Sequence, residues 1–256
     1  MGNAPGVRGR AAGWLRPMIK LCVFDCDGTL VDSERSIVAS MTAAFWAHGL
    51  SLPADDAVRR VVGLSLAEAV ARLLPAESAH LCMRVASSYR DAVAALRLDG
   101  TLLEPLYPGV LDGLKALEEE GWCLGLATGK SRRGAMATLA AHGLEHRFVT
   151  LQTPDIAAGK PNPQMMMQAM ADVGADPDAT VMVGDTTYDM IMARRAGTRA
   201  VAVSWGYHEK AELEASGADI VVDEFAQIGS AIARLIGPLS RRSRGAPMAE
   251  TAAERE

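Results

Sequence analysis

The chain has 256 residues, enough for one large domain or two smaller ones around a well-buried core. A hydrophobic content of 49% with 22% charged residues is ordinary for a globular protein, and a net charge of −5 provides no overall basic field for nucleic acid or anionic membrane. The sequence has no run of about 18 apolar residues to cross a bilayer, and its four scattered cysteines, Cys22, Cys26, Cys82 and Cys123, lack paired metal-ligand spacing and fit reduced thiols in a cytoplasmic protein.

In chain order, residues 1–17 carry arginines without an apolar block and read as a disordered leader rather than a secretory signal. The first strand, over 21–25, is an apolar run that ends in Asp25-Cys26-Asp27-Gly28-Thr29. From 32 to 104 no strand pattern follows; helical periodicities at 36–48, 54–62, 66–74 and 77–98 define an all-helical insertion over 32–105. The chain then alternates helix and strand: helix 109–120, strand 122–127, helix 132–142, strand 147–151, helix 163–173, strand 180–184, helix 187–196, strand 200–203, helix 209–216 and strand 219–222. Short apolar strands separated by amphipathic helices make an α/β core, a parallel sheet covered by helices, over 18–31 and 106–237. Glycines at 121, 143, 174, 197 and 217 stand where helices should be capped. The tail, 238–256, reads as disordered, and its Arg241-Arg242-Ser243-Arg244 as solvated charge.

Four chemically suggestive strings sit at or after strand ends, where open parallel sheets bind ligands. They are Asp25-Cys26-Asp27, Thr128-Gly129-Lys130, Gly159-Lys160-Pro161 and Gly184-Asp185. Each alone reads blandly, as a turn, a cap or a surface charge; together they describe one chemistry. Residues two apart on an extended chain share a face, so Asp25 and Asp27 point together, and a divalent cation between them would offset their repulsion. Asp185 adds a third acid, and Asp189 lies one helical turn further on. Oxygen ligands without histidine or cysteine fit Mg²⁺ better than other metals, with Ca²⁺ the weaker choice. An ionised aspartate needs no base to act as nucleophile. Asp25 is therefore expected to attack phosphorus, Asp27 to protonate the leaving oxygen, and Thr128 and Lys160 to bind phosphoryl oxygens. Pro161 holds Lys160 extended, and Asn162-Pro163 opens the next helix as N-cap and first turn.

With Val31-Asp32-Ser33 after the first string and Thr186-Thr187-Tyr188-Asp189 after the last, the four motifs stand in the order of the haloacid dehalogenase superfamily, which the chain resembles over 19–236. The resemblance implies a Rossmann-like three-layer core with an inserted helical cap, Mg²⁺ dependence and an aspartyl-phosphate intermediate. It implies Asp25 as nucleophile and metal ligand, and Asp27 as acid/base that ligates metal through its backbone carbonyl. It further implies Asp185 and Asp189 in the metal site, and Thr128, Gly129 and Lys160 around the phosphate. Pro108-Gly109-Val110 is similar to the phosphoglycolate phosphatase branch. Asp27 argues against the dehalogenases, which lack the second acid. Phosphonoacetaldehyde hydrolases need a lysine in the cap, and 32–104 contains none. The expected activity is hydrolysis of a small organic phosphate monoester; a β-phosphoglucomutase-type mutase and a catalytically idle binding module are the alternatives. Arg59 and Arg60 are candidates to anchor a substrate carboxylate. Lys130, Arg132 and Arg133 read as solvated charges at a helix start. Met165, Met166, Met167 and Met170 read as core filler, and His208, after Trp205-Gly206-Tyr207, as a surface or cap-boundary residue with pocket lining as the alternative. Oligomeric state has no signature.

Overall fold

The computed structural model describes residues 18–237, so the expected leader (1–17) and tail (238–256) lie outside it. β1 (Lys20–Phe24) leads into four helices, α1 (Glu34–Trp46), α2 (Asp55–Arg59), α3 (Leu66–Leu73) and α4 (Ala79–Leu98). The chain then alternates through α5 (Val110–Glu119), β2 (Trp122–Ala127), α6 (Arg132–Ala141), β3 (Phe148–Gln152) and α7 (Gln164–Val173). It closes with β4 (Thr180–Gly184), α8 (Thr187–Ala196), β5 (Arg199–Val203), α9 (Lys210–Ala215), β6 (Ile220–Val222) and α10 (Ile228–Ile236).

The six strands form one all-parallel sheet in the order β3-β2-β1-β4-β5-β6. Alternation along the strands sorts the apolar side chains into two cores. Cys22, Phe24, Val181, Val183, Val201 and Val203 pack with Leu114, Leu139 and Ile232 of α5, α6 and α10. Leu21, Val23, Met182, Ala200 and Ala202 pack on the other face with Met165, Met190 and Leu213 of α7, α8 and α9. Helices cover both faces, so the core is a three-layer Rossmann-like α/β sandwich. Met165, Met166 and Met170 are buried, but Met167 is exposed and is not core filler. Three consecutive helical residues span about 200° of the helix, so one of them must face water. Helix α10, which the sequence reading leaves out, seals one face of the sheet with Ile228, Ala231 and Ile232.

The helical insertion has its own small core of Met41, Phe45, Val58, Val70, Cys82 and Val85. Ser65 and Ser78 start α3 and α4 by accepting the N–H groups of Glu68 and Leu81.

Candidate active site

Strand register decides what meets at the sheet's carboxyl edge. Phe24 pairs with Leu126 on one side and Val183 on the other. Asp25, Thr128 and Asp185 therefore leave their strands at neighbouring points of one edge. The order reverses beside β1, the place where such sheets bind ligands.

Asp25, Asp185 and Asp189 are all buried and place carboxylate oxygens within 4.8 Å of one another. The Lys160 Nζ lies 2.7 Å from Asp25 Oδ2 and 2.7 Å from Asp189 Oδ1, with its side chain fully buried. Both contacts are close ion pairs without hydrogen-bond alignment, so the two oxygens keep open lone pairs. The remaining oxygens accept hydrogen bonds from backbone and hydroxyl donors. The Cys26 N–H donates to Asp25 Oδ1 at 2.6 Å, and the Thr29 hydroxyl donates to Asp185 Oδ1 at 2.8 Å. The Tyr207 N–H donates to Asp185 Oδ2 at 3.0 Å. Asp189 Oδ2 accepts the Thr186 hydroxyl at 2.7 Å and the Thr186 N–H at 3.1 Å, a capping box that fixes Asp189 at the start of α8. Thr29 and Tyr207 have no sequence signal for this role beyond adjacency to a motif and to a strand end.

Burial pushes the Asp25 carboxyl well above its usual range; Lys160 pulls it down, but Asp189 and Asp185 push it up again. Burial, aided by Asp189, likewise pushes Asp185 up to about 7. Lys160 stays charged, because Asp189 and Asp25 outweigh the burial that would lower it. Three carboxylates and one ammonium leave two formal negative charges, which one divalent cation would neutralise. An all-oxygen donor set with unaligned, buried lone pairs fits a hard divalent ion.

The expectation of a cation shared by the Asp25 and Asp27 carboxylates meets a different arrangement. Asp27 stands outside the three-acid group, accepts the Ser33 hydroxyl, and pairs with Lys130 Nζ at 2.9 Å. Lys130 is thus no solvated charge: its side chain is 16% exposed and also contacts Glu104 Oε1 at 2.8 Å. Burial alone would lower the Lys130 ammonium, but Asp27 and Glu104 raise it well above its ordinary value. Burial pushes the Glu104 carboxyl up, yet Lys130 and Thr138 outweigh it and hold it below the usual range.

Thr128 is fully buried and its hydroxyl accepts the Lys130 N–H at 3.2 Å. It is not the cap of α6, a place taken by Ser131. The helical insertion reaches this edge through Gly63-Leu64-Ser65. A Cβ on Gly129 would lie 2.3 Å from the Leu64 carbonyl oxygen, and one on Gly159 would lie 3.4 Å from the Ser65 Cβ. The insertion loop therefore rests on two of the four strand-end strings. A cleft of about 590 Å³ runs beside it, lined by Asp27, Gly129 and Lys130 below and by Met41, Val62, Tyr89 and Arg97 above.

Arg59 and Arg60 do not line that cleft. Arg59 pairs with Glu34 at 3.4 Å, while the exposed Arg60 pairs with Glu212 at 2.9 Å and Asp56 at 3.4 Å. Arg59 is thus tied to α1 of the insertion, and Arg60 bridges from the insertion to α9 of the core. His208 accepts the Thr187 N–H at 3.1 Å and lines a separate hollow of about 390 Å³ with Arg60 and Tyr188.

Three buried aspartates and one buried lysine thus meet at the switch point of a doubly wound α/β core, where this class of fold binds ligands. The family model for haloacid dehalogenase-like hydrolases matches residues 22–203, and the chain belongs to that family. "Probable phosphatase IndB" of Dickeya dadantii is 38% identical over 226 residues, covering 86% of this chain and 96% of that protein. The phosphoglycolate phosphatase of Synechococcus elongatus is 32% identical, covering 84% of this chain and 97% of its own. A hydrolase of Pseudomonas syringae has a crystal structure that superposes with a TM-score of 0.75 at 26% identity, covering 84% of this chain and 99% of that one.

Proposed function

We propose that this protein is a Mg²⁺-dependent phosphatase that hydrolyses a small organic phosphate monoester through an aspartyl-phosphate. The observation that carries the reading is the buried Asp25 carboxylate, 2.7 Å from Lys160 and grouped with Asp185 and Asp189, while Asp27 is held apart by Lys130. Asp25, Asp185 and Asp189 would hold the ion, with the Asp27 backbone carbonyl as a further ligand. When bound, the cation supplies the positive charge that keeps these acids ionised and offsets the phosphoryl oxygens.

The chain's own groups account for the rest. The Asp25 carboxylate attacks phosphorus; the P–O bond to the alcohol breaks, and the leaving oxygen takes the proton of Asp27. Water then attacks the phosphoryl group on Asp25, Asp27 takes its proton back, and the P–O bond to Asp25 breaks to release phosphate. Such positioned proton transfer is typically worth about 10²–10⁴ in rate. Lys160, the Thr128 hydroxyl and the Gly129 backbone bind phosphoryl oxygens. A lysine about 4 Å from a unit negative charge contributes roughly 4 kcal/mol at an effective dielectric near 20. Residues 32–105 act as a cap that excludes water and reads the alcohol, over a core of 18–31 and 106–237. Free thiols, Cys22, Cys26 and Cys82 among them buried, support a reducing, cytoplasmic location. Among the described residues no helix is long and apolar enough to cross a membrane.

Purified protein should release p-nitrophenolate from p-nitrophenyl phosphate with Mg²⁺ and lose that activity in EDTA. Asp25→Asn should lower the rate at least about a thousandfold. Undiminished turnover in Asp25→Asn would exclude the nucleophile assignment.

A further inference from the structure

One charged group near the cleft has no part in the mechanism above. Glu104 lies on the linker that returns the chain from α4 to the core, and its side chain is only 9% exposed. Oε1 contacts Lys130 Nζ at 2.8 Å; Oε2 accepts the Thr138 hydroxyl at 2.9 Å and meets Arg97 of α4 at 3.4 Å. The Glu104 backbone carbonyl, separately, lies 2.7 Å from His142 Nε2. We propose that Glu104 is a positioning residue for the Asp27 carboxyl, acting through Lys130. This rests on the reading of Asp27 as the acid/base of a phosphatase.

The geometry explains why a second carboxylate is needed. Lysine carries its charge on a flexible four-carbon stem and does not by itself fix a direction. Placed between Asp27 at 2.9 Å and Glu104 at 2.8 Å, the Lys130 ammonium is pinned from both sides. Asp27 is in turn fixed between that ammonium and the Ser33 hydroxyl. Glu104 has its own anchors from two directions, Thr138 on α6 of the core and Arg97 on α4 of the cap. Signs alternate along Asp27, Lys130, Glu104 and Arg97, so each charge is compensated where burial would otherwise penalise it. Arg97 joins the row only while the cap lies as it does here, which links cap position to the placement of Asp27.

A linker tether and a positioning role separate in the two half-reactions of p-nitrophenyl phosphate. Departure of p-nitrophenolate needs no proton, so formation of the aspartyl-phosphate is insensitive to Asp27. Its hydrolysis needs Asp27, its own proton first released to solvent, to take a proton from water. In stopped-flow measurements Glu104→Gln, which keeps the shape and the backbone contact to His142, should lower steady-state turnover about tenfold. The first-turnover burst should slow less than about threefold. In a Lys130→Met background the same substitution should have no further effect, because its route to Asp27 is already cut. Burst and steady state falling together, neither changing, or the two substitutions multiplying independently would each overturn the assignment. A wild type without Asp25-dependent turnover would remove the phosphatase reading and this inference with it, a result told apart by the Asp25→Asn control.

Discussion

Asp25 and Asp27 are two residues apart but occupy separate electrostatic neighbourhoods. Asp25 shares its surroundings with two acids and Lys160, whereas Asp27 answers to Lys130 and a hydroxyl. The proposed nucleophile and the proposed proton shuttle need this separation, since the surroundings of each carboxyl set its task. Gly28 makes the close approach possible. Its φ is +78°, and a Cβ there would sit 2.1 Å from Asp185 Oδ2 and 2.7 Å from the Tyr207 ring. Only a residue without a Cβ fits both the left-handed backbone and the contact. Gly28→Ala should displace Asp185, lower p-nitrophenyl phosphate turnover at least about tenfold, and destabilise by about 1–3 kcal/mol. Thermal melts alongside the assay would show it; a variant with normal turnover would mean that Asp185 can move without consequence.

At the scale of elements, the strands are legible because a sheet buried on both faces demands continuous apolar runs, as in Leu21-Cys22-Val23-Phe24. The four strand-end strings are legible because each keeps its chemistry within a few consecutive residues. Partners brought from elsewhere are not. Thr29 meets Asp185 across 156 positions, and Lys130 meets Glu104 across 26, with nothing local to announce either. Lys130 reads as solvated because it stands with Arg132 and Arg133 at a helix start; periodicity tells which face is inside, not which charge will be met there. Arg59 and Arg60 fail as cleft residues for the same reason, since Glu34 and Glu212 claim them.

The loop between α2 and α3 also has a consequence for turnover. Asp25, Lys160, Asp185 and Asp189 are at most 1% exposed beneath it, and lifting of the insertion is the expected route of substrate entry. Ser65 and the ideal Cβ of Gly159 are 3.4 Å apart, close to the 3.5–4.5 Å span that disulfides use, about 3.8 Å on average. A Ser65→Cys/Gly159→Cys variant should therefore lose turnover at least about tenfold on oxidation and recover it in dithiothreitol, with each single variant insensitive to redox. Full activity of a cross-linked sample, verified by thiol counting, would show that substrate enters without cap movement.

For the whole molecule, the acidic cluster is a stored cost of folding. In metal-free protein, burial and mutual repulsion favour protonated Asp25 and Asp185, the latter with its carboxyl pushed up to about 7 from 3.8. Between those values the folded chain binds more protons than the unfolded one. Unfolding free energy must then fall as pH rises through that window. Glu104, held below the usual range, acts oppositely only in more acidic solution, and His208, which burial holds below its ordinary value, opposes the fall within the window as one group against two. The loss from about pH 4 to pH 7 should be on the order of a few kcal/mol, or several degrees in Tm for a chain of this size. Metal-free protein should melt lower at pH 7.5 than at pH 5.5, and Mg²⁺ should stabilise it more at the higher pH, where the ligands are ionised. Asp185→Asn removes one repelling charge; it should raise the metal-free Tm at pH 7.5 while abolishing turnover, as expected where function is kept at the expense of stability. A metal-free Tm that is flat or rising over this range, unmoved by Mg²⁺ and by Asp185→Asn, would mean that Lys160 alone compensates the three acids.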